Sequence, residues 1–204
     1  MKNCLKNSLP NALTFTRIIL TAMFIGTLNS KLILGIETQS ISFLAVMFLA
    51  ICATDFLDGK IARWLKVSSV AGSRFDVMAD FIFILSATAL LVKFQLMPLW
   101  FLVVIIAKLL DFIVSSKIVN YYKFEKQNTF VFDFMGRGAA ILFYLLPFLV
   151  IFFSRYMSEI STSLALTLIA LTSFVALISS TQRMFMCFQL VRKAEMKYLE
   201  RREN

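Results

Sequence analysis

Long apolar stretches, each close to the thickness of a bilayer's hydrocarbon core, alternate along this chain with short polar segments. About 20 predominantly apolar residues cross that core as a helix. The pattern predicts six membrane-spanning helices, at residues 11–29, 40–62, 75–95, 98–121, 136–154 and 161–190. Pro10 stands just before the first, where a proline suits a helix start because its missing N–H is not needed there. Residues 91–98, Leu-Val-Lys-Phe-Gln-Leu-Met-Pro, predict a tight turn between the third and fourth spans. Tyr121 to Asp133 read as a polar loop, and the charged tail from Arg192 to Asn204 continues the last helix into water. The expected fold is an all-α integral membrane bundle of six transmembrane helices, one domain over residues 1–204, without internal repeats or a second soluble domain. Lys2 and Lys6 precede an apolar run that lacks a small-residue cleavage site, so that run reads as a retained helix.

Composition supports the bilayer: 59% of the 204 residues are hydrophobic, and the 22 Phe suit lipid-facing and interhelical packing. The formal net charge of +9 raises the question of nucleic acid. Position answers it, because the cations sit in the loops between apolar spans, where anionic headgroups and anionic substrates meet them. Lys2, Lys6, Lys60, Arg63, Lys66, Arg74, Lys123, Lys126 and the tail cations fall on one side, against Lys31, Lys93 and Arg155 on the other. The Lys/Arg bias places both termini in the cytoplasm, as expected of a bacterial inner or plasma membrane protein. Cys4, Cys52 and Cys187 are scattered and suggest neither a disulfide framework nor a metal knuckle.

Polar positions inside the apolar pattern carry the chemistry. Asp55, Asp58, Asp76 and Asp80 fall between positions 55 and 80, with strongly apolar flanks. A carboxylate near membrane depth costs several kcal/mol and is retained where it does something. Asp55 and Asp58 are spaced i,i+3, and Asp76 and Asp80 i,i+4, so each pair shares a helix face. Two such faces brought together repel each other unless cations fill the space between them. An all-oxygen donor set selects Mg²⁺ or Mn²⁺. The chain has no His, which excludes an imidazole-based zinc site.

Asp55-x-x-Asp58-Gly59-x-x-Ala62-Arg63, eight residues, then Gly72-x-x-x-Asp76-x-x-x-Asp80 resembles the signature of the CDP-alcohol phosphatidyltransferases, with every signature position filled. The resemblance implies a six-helix membrane enzyme with its active site near the cytoplasmic side. It implies transfer of a phosphatidyl group from CDP-diacylglycerol to an alcohol, with release of CMP. By the same resemblance two Mg²⁺ or Mn²⁺ ions are held by Asp55, Asp58, Asp76 and Asp80, and Asp80 is the general base. Gly59, Ala62 and Gly72 would let the nucleotide approach the helix backbone, and Arg63 would pair with the pyrophosphate. Small residues also permit tight helix packing, but Asp58, Arg63 and Asp76 around them favour the nucleotide. The resemblance also implies a homodimer, which no helix face in the sequence specifies by itself.

Lys108, Asp111 and Ser115 recur on one face of the fourth span, Arg137 begins the fifth, and Arg183 interrupts the sixth. Lys108, Arg137 and Arg183 are therefore candidates to bind a phosphorylated acceptor. Against this, Lys108 and Asp111 pair with each other and only stabilise the bundle, and Arg183 snorkels to the interface. Lys117, half a turn away from Lys108, reads as interfacial. Pro10-Asn11-x-Leu13-Thr14-x-x-Arg17 is similar to the opening of phosphatidylglycerophosphate synthases, whereas Thr181-Gln182-Arg183 looks more like the inositol-phosphate branch. Glycerol 3-phosphate is the expected acceptor and inositol phosphate the alternative. An intramembrane prenyltransferase would need a longer chain with more spans. A divalent-cation transporter would need carboxylates along a path reaching both faces.

Overall fold

The computed structural model describes the backbone at residues 2–34, 38–65, 70–122, 134–156 and 161–203. Side chains are described within 14–34, 41–57, 74–122, 136–154 and 163–196, and at positions 60 and 72. Among the described residues the chain is all-helical: α1 (Lys2–Leu34), α2 (Thr38–Leu65), α3 (Val70–Lys93), α4 (Leu99–Tyr122), α5 (Phe134–Tyr156) and α6 (Ser161–Glu203). Five of them contain stretches long and apolar enough to cross a membrane, namely Thr14–Leu34, Arg74–Lys93, Leu99–Tyr122, Gly136–Ser154 and Ser163–Met196. The apolar stretch among the described residues of α2 is Ile41–Leu57.

One expectation, the start of the first helix, is corrected. The first helix does not start after Pro10 but runs from Lys2 through it. A proline removes one i→i−4 bond without forbidding a helix, as the buried Pro147 inside α5 also illustrates. The third span, expected at 75–95, is found at Arg74–Lys93, and its helix begins a turn earlier at Val70. The tail behaves as expected, with α6 continuing to Glu203.

Helices α1 and α2, α1 and α3, α3 and α4, α3 and α5, α2 and α5, α4 and α6, and α5 and α6 pack together. Alternating heptad-like spacing explains which face each helix buries. On α1 the buried stripe is Thr14, Arg17, Thr21, Phe24 and Leu28, and on α6 it is Ala165, Ile169, Thr172, Ala176, Ser179, Arg183 and Cys187. Between membrane helices no water-driven hydrophobic force operates, so close approach through small residues and polar contacts takes over. Thr172 and Ser173 on α6 satisfy their hydroxyls on the Ile169 carbonyl, at 2.9 and 2.8 Å. Aromatic rings fill the middle of the bundle. Phe83 of α3 meets Phe24 of α1 at 5.7 Å and Tyr144 of α5 at 4.6 Å, and Phe48 stacks on Phe148 at 4.8 Å.

The expected turn closes α3 at Lys93 with Gln95 in the left-handed region, at φ 58°. Leu96 and Met97 N–H groups donate back to the Leu91 carbonyl at 2.9 and 3.3 Å, which satisfies a helix-end acceptor. A side chain in that region costs about 1–2 kcal/mol that glycine avoids. Gln95→Gly is therefore expected to be neutral or stabilising by up to about 1 kcal/mol. Gln95→Val is expected to destabilise, since β-branched residues tolerate the region least. Unfolding midpoints in detergent micelles check both.

Candidate active site

Asp55 is carried by α2, and Asp76 and Asp80 by α3. What joins them comes from a third helix. Arg17 on the buried stripe of α1 is fully inaccessible, at 0% exposure. Its Nη2 lies 2.9 Å from Asp55 Oδ1. Its Nη1 donates to Asp76 Oδ1 at 2.6 Å and to Asp80 Oδ1 at 3.2 Å. The carboxylates themselves keep 45%, 37% and 31% of their side-chain surface open, so they form a partly open layer around an enclosed guanidinium. A planar guanidinium suits this task because its donors diverge in a fixed fork. One positive charge facing three carboxylates leaves the layer anionic.

Asp55 and Asp80 border a cavity of about 280 Å³, together with Cys52, Tyr144 and Lys108. The rest of its wall is mostly apolar, including Phe81, Ile84, Phe112, Ala139 and Phe143. Tyr144 brings a buried hydroxyl that has no hydrogen-bond partner among the described residues. Such a group on a cavity wall suits a polar ligand, because leaving it unmet is costly.

Asp55, Asp76 and Asp80 are thus brought together, and Gly72 lies half-buried near the start of α3. Asp58, Gly59, Ala62 and Arg63 lie on the helical backbone of α2, but their side chains fall outside the described residues. The three cations considered for an acceptor have separate surroundings. Lys108 Nζ reaches Asp111 Oδ2 at 3.2 Å and the Ser179 and Ser180 hydroxyls at 3.0 Å each, while Ser180 also donates to Asp111 at 3.0 Å. These bonds tie α4 to α6. Arg183, 4% exposed, donates to Ser116 at 3.4 Å and lies over the Phe112 ring at 4.8 Å. Arg137 is exposed at the start of α5, next to the cavity residue Gly136. Lys108 alone of the three borders the cavity with Asp55 and Asp80.

The donor set suits a hard divalent cation, since it is all carboxylate oxygen. Three of the four carboxylates already converge on one cationic group, so positive charge is what this place accommodates. Among the described residues no three acidic or thiol side chains form a ready ion cage. Their Oδ1 atoms are turned onto Arg17 instead. Arg17 itself was legible only as part of a family-like run. The stronger signal was a cation in the middle of an apolar stretch, with Thr14 and Thr21 on the same face.

The model of the CDP-alcohol phosphatidyltransferase family matches residues 7–188. The chain belongs to this family. The matched region contains Arg17, the whole Asp motif, and Lys108, Arg137 and Arg183. Among curated proteins, the chain is 32% identical over 108 residues to the CDP-diacylglycerol–glycerol-3-phosphate 3-phosphatidyltransferase of Bacillus subtilis, covering 50% of this chain and 56% of that one. It is 27% identical over 146 residues to the cardiolipin synthase (CMP-forming) of Streptomyces coelicolor, covering 71% and 65%. It is 32% identical over 124 residues to a probable cardiolipin synthase (CMP-forming) of Drosophila melanogaster, covering 60% and 36%. The matches thus span between about a third and two thirds of the length of these relatives. Within the family, the two kinds of relative differ in their named reaction, so family membership alone leaves the acceptor open.

Proposed function

We propose that this protein is a membrane-embedded phosphatidyltransferase that moves a phosphatidyl group from CDP-diacylglycerol to an alcohol and releases CMP. The observation that carries this is the convergence of Asp55, Asp76 and Asp80, from two helices, on Arg17, with Asp55 and Asp80 bordering a largely apolar cavity. A lipid donor with a charged head needs both halves of that arrangement. Asp55, Asp58, Asp76 and Asp80 would hold two Mg²⁺ or Mn²⁺ ions. Such ions supply charge neutralisation of the donor's diphosphate. Asp80, which borders the cavity, takes the proton of the acceptor hydroxyl. Arg63 pairs with the pyrophosphate, and Gly59, Ala62 and Gly72 leave room for the nucleotide. The unpartnered Tyr144 hydroxyl offers a further contact to the ligand's polar head.

Six spans with both termini and the Asp cluster facing the cytoplasm accord with the charge asymmetry. The 28 residues of α2 reach about 42 Å at 1.5 Å per residue, enough to cross the core and still place its acidic end near one surface.

Glycerol 3-phosphate is the acceptor we favour, in line with the named reaction of the Bacillus relative and with Lys108 on the cavity wall. A second reading has a specific observation behind it. The cavity is mostly apolar and includes Ile141 and Leu145, which are exposed on the outer side of α5, as a lipid-borne alcohol would require. Relatives named as cardiolipin synthases accord with that reading. Purified protein supplied with CDP-diacylglycerol and, separately, glycerol 3-phosphate, inositol phosphate and phosphatidylglycerol decides between them by mass spectrometry of the lipid product. Product with glycerol 3-phosphate alone is expected. Product with phosphatidylglycerol alone would move the assignment to the lipid acceptor.

A further inference from the structure

The carboxylate layer has its own cation, and that cation is out of reach of solvent and ligand. Arg17 is 0% exposed, whereas each carboxylate it touches keeps about a third or more of its side chain open. These contacts join three helices. Asp55 is carried by α2, Asp76 and Asp80 by α3, and the guanidinium by α1. Without Arg17, three like charges would face one another within an apolar bundle, and each would repel the rest through a poorly screening medium. Divalent ions would neutralise the same charges through their open surface. The two kinds of cation therefore perform the same service for the same carboxylates, and any ion that arrives does so against a unit positive charge a few Å away.

We propose that Arg17 is a built-in counter-cation: it keeps the carboxylates of α2 and α3 assembled when no divalent ion is bound, and as a consequence it lowers the site's affinity for such ions. This rests on the reading that the Asp cluster holds divalent ions. Arg17 is a positioning residue in this scheme, since it acts through Asp55, Asp76 and Asp80 and does not border the cavity. Linkage makes the effect reciprocal. Whatever Arg17 subtracts from ion binding, a bound ion subtracts from the contribution of Arg17 to stability.

The test uses full-length protein in detergent, with Mn²⁺ alone as the probe and no substrate. Mn²⁺ affinity is read from the electron paramagnetic resonance signal of the free ion, and thermal midpoints are recorded with and without saturating Mn²⁺. Arg17→Gln is expected to lower the midpoint in the absence of ion and to recover most of that loss in Mn²⁺. It is also expected to tighten Mn²⁺ binding by about tenfold or more, the direction that removal of a nearby like charge dictates. Arg17→Lys, which keeps the charge, is expected to stay close to wild type in Mn²⁺ affinity. Should Arg17→Gln be recovered folded only when purified in Mn²⁺, that too is the expected dependence. An equal loss of midpoint with and without Mn²⁺ would make Arg17 a purely structural contact and overturn the proposal. Weaker Mn²⁺ binding by Arg17→Gln, or a variant unfolded under both conditions, would overturn it as well. Absence of Mn²⁺ binding by the wild type would instead refute the metal reading, and this inference with it.

Discussion

Asp80→Asn is expected to lower turnover by about 10²–10⁴-fold while leaving affinity for the CDP-lipid within a few-fold of wild type. The substitution keeps the size and one oxygen of the side chain, but removes its charge and its capacity to take a proton. Asp80 is suited to the role by its place. It borders the cavity, shares the Arg17 contact with Asp76, and is the least exposed of the three described carboxylates at 31%. Rates from CMP release and donor affinity from equilibrium titration separate the two effects. Turnover within about tenfold of wild type would remove Asp80 from the base role.

Lys108→Met is expected to destabilise the protein by about 3–5 kcal/mol, because it leaves Asp111 in the α4–α6 seam without its cation. Lys108 is only 7% exposed, so water cannot take over its contacts to Asp111, Ser179 and Ser180. Adding Asp111→Leu should recover much of that loss, since an apolar pair replacing an ion pair is often neutral or better. The double variant also distinguishes the two roles that Lys108 can have. If Lys108 only ties α4 to α6, restored stability brings restored activity. If it also meets an acceptor phosphate from the cavity wall, the double variant folds well and its KM for glycerol 3-phosphate rises at least about tenfold, the lower end of losing a charge-assisted contact. Chemical unfolding and acceptor kinetics read the two effects independently.

The helices and their order were legible because bilayer-length apolar runs leave few alternatives to a helical bundle. The turn before Pro98 and the continuation of the last helix beyond Arg192 were legible for the same reason. Helix ends were not. Pro10 pointed to a start that the structure places at Lys2, since hydrogen bonding elsewhere in a long helix outweighs one missing donor. The Asp motif announced its chemistry through spacing, because i,i+3 and i,i+4 carboxylates must share a face wherever the helix goes. The partner of those carboxylates was hidden for a physical reason. Arg17 lies 38 to 63 positions from them along the chain, and spacing within one helix says nothing of which helix packs opposite. A similar limit applied to Lys108 and Arg183. Their sequence positions allowed a shared anion site, whereas the structure gives each its own contacts, Lys108 with Asp111 and the α6 serines, Arg183 with Ser116 and Phe112.

The central claim is that the carboxylate layer and its cavity transfer a phosphatidyl group from a CDP-linked lipid. Its most direct test is CMP release by the purified protein from CDP-diacylglycerol, measured with and without Mg²⁺ and with and without an alcohol acceptor. CMP is expected in step with a new phospholipid, only when both Mg²⁺ and acceptor are present, and none is expected from the Asp80→Asn variant. CMP release that proceeds equally in a metal chelator, or no CMP with any acceptor tried, would contradict it.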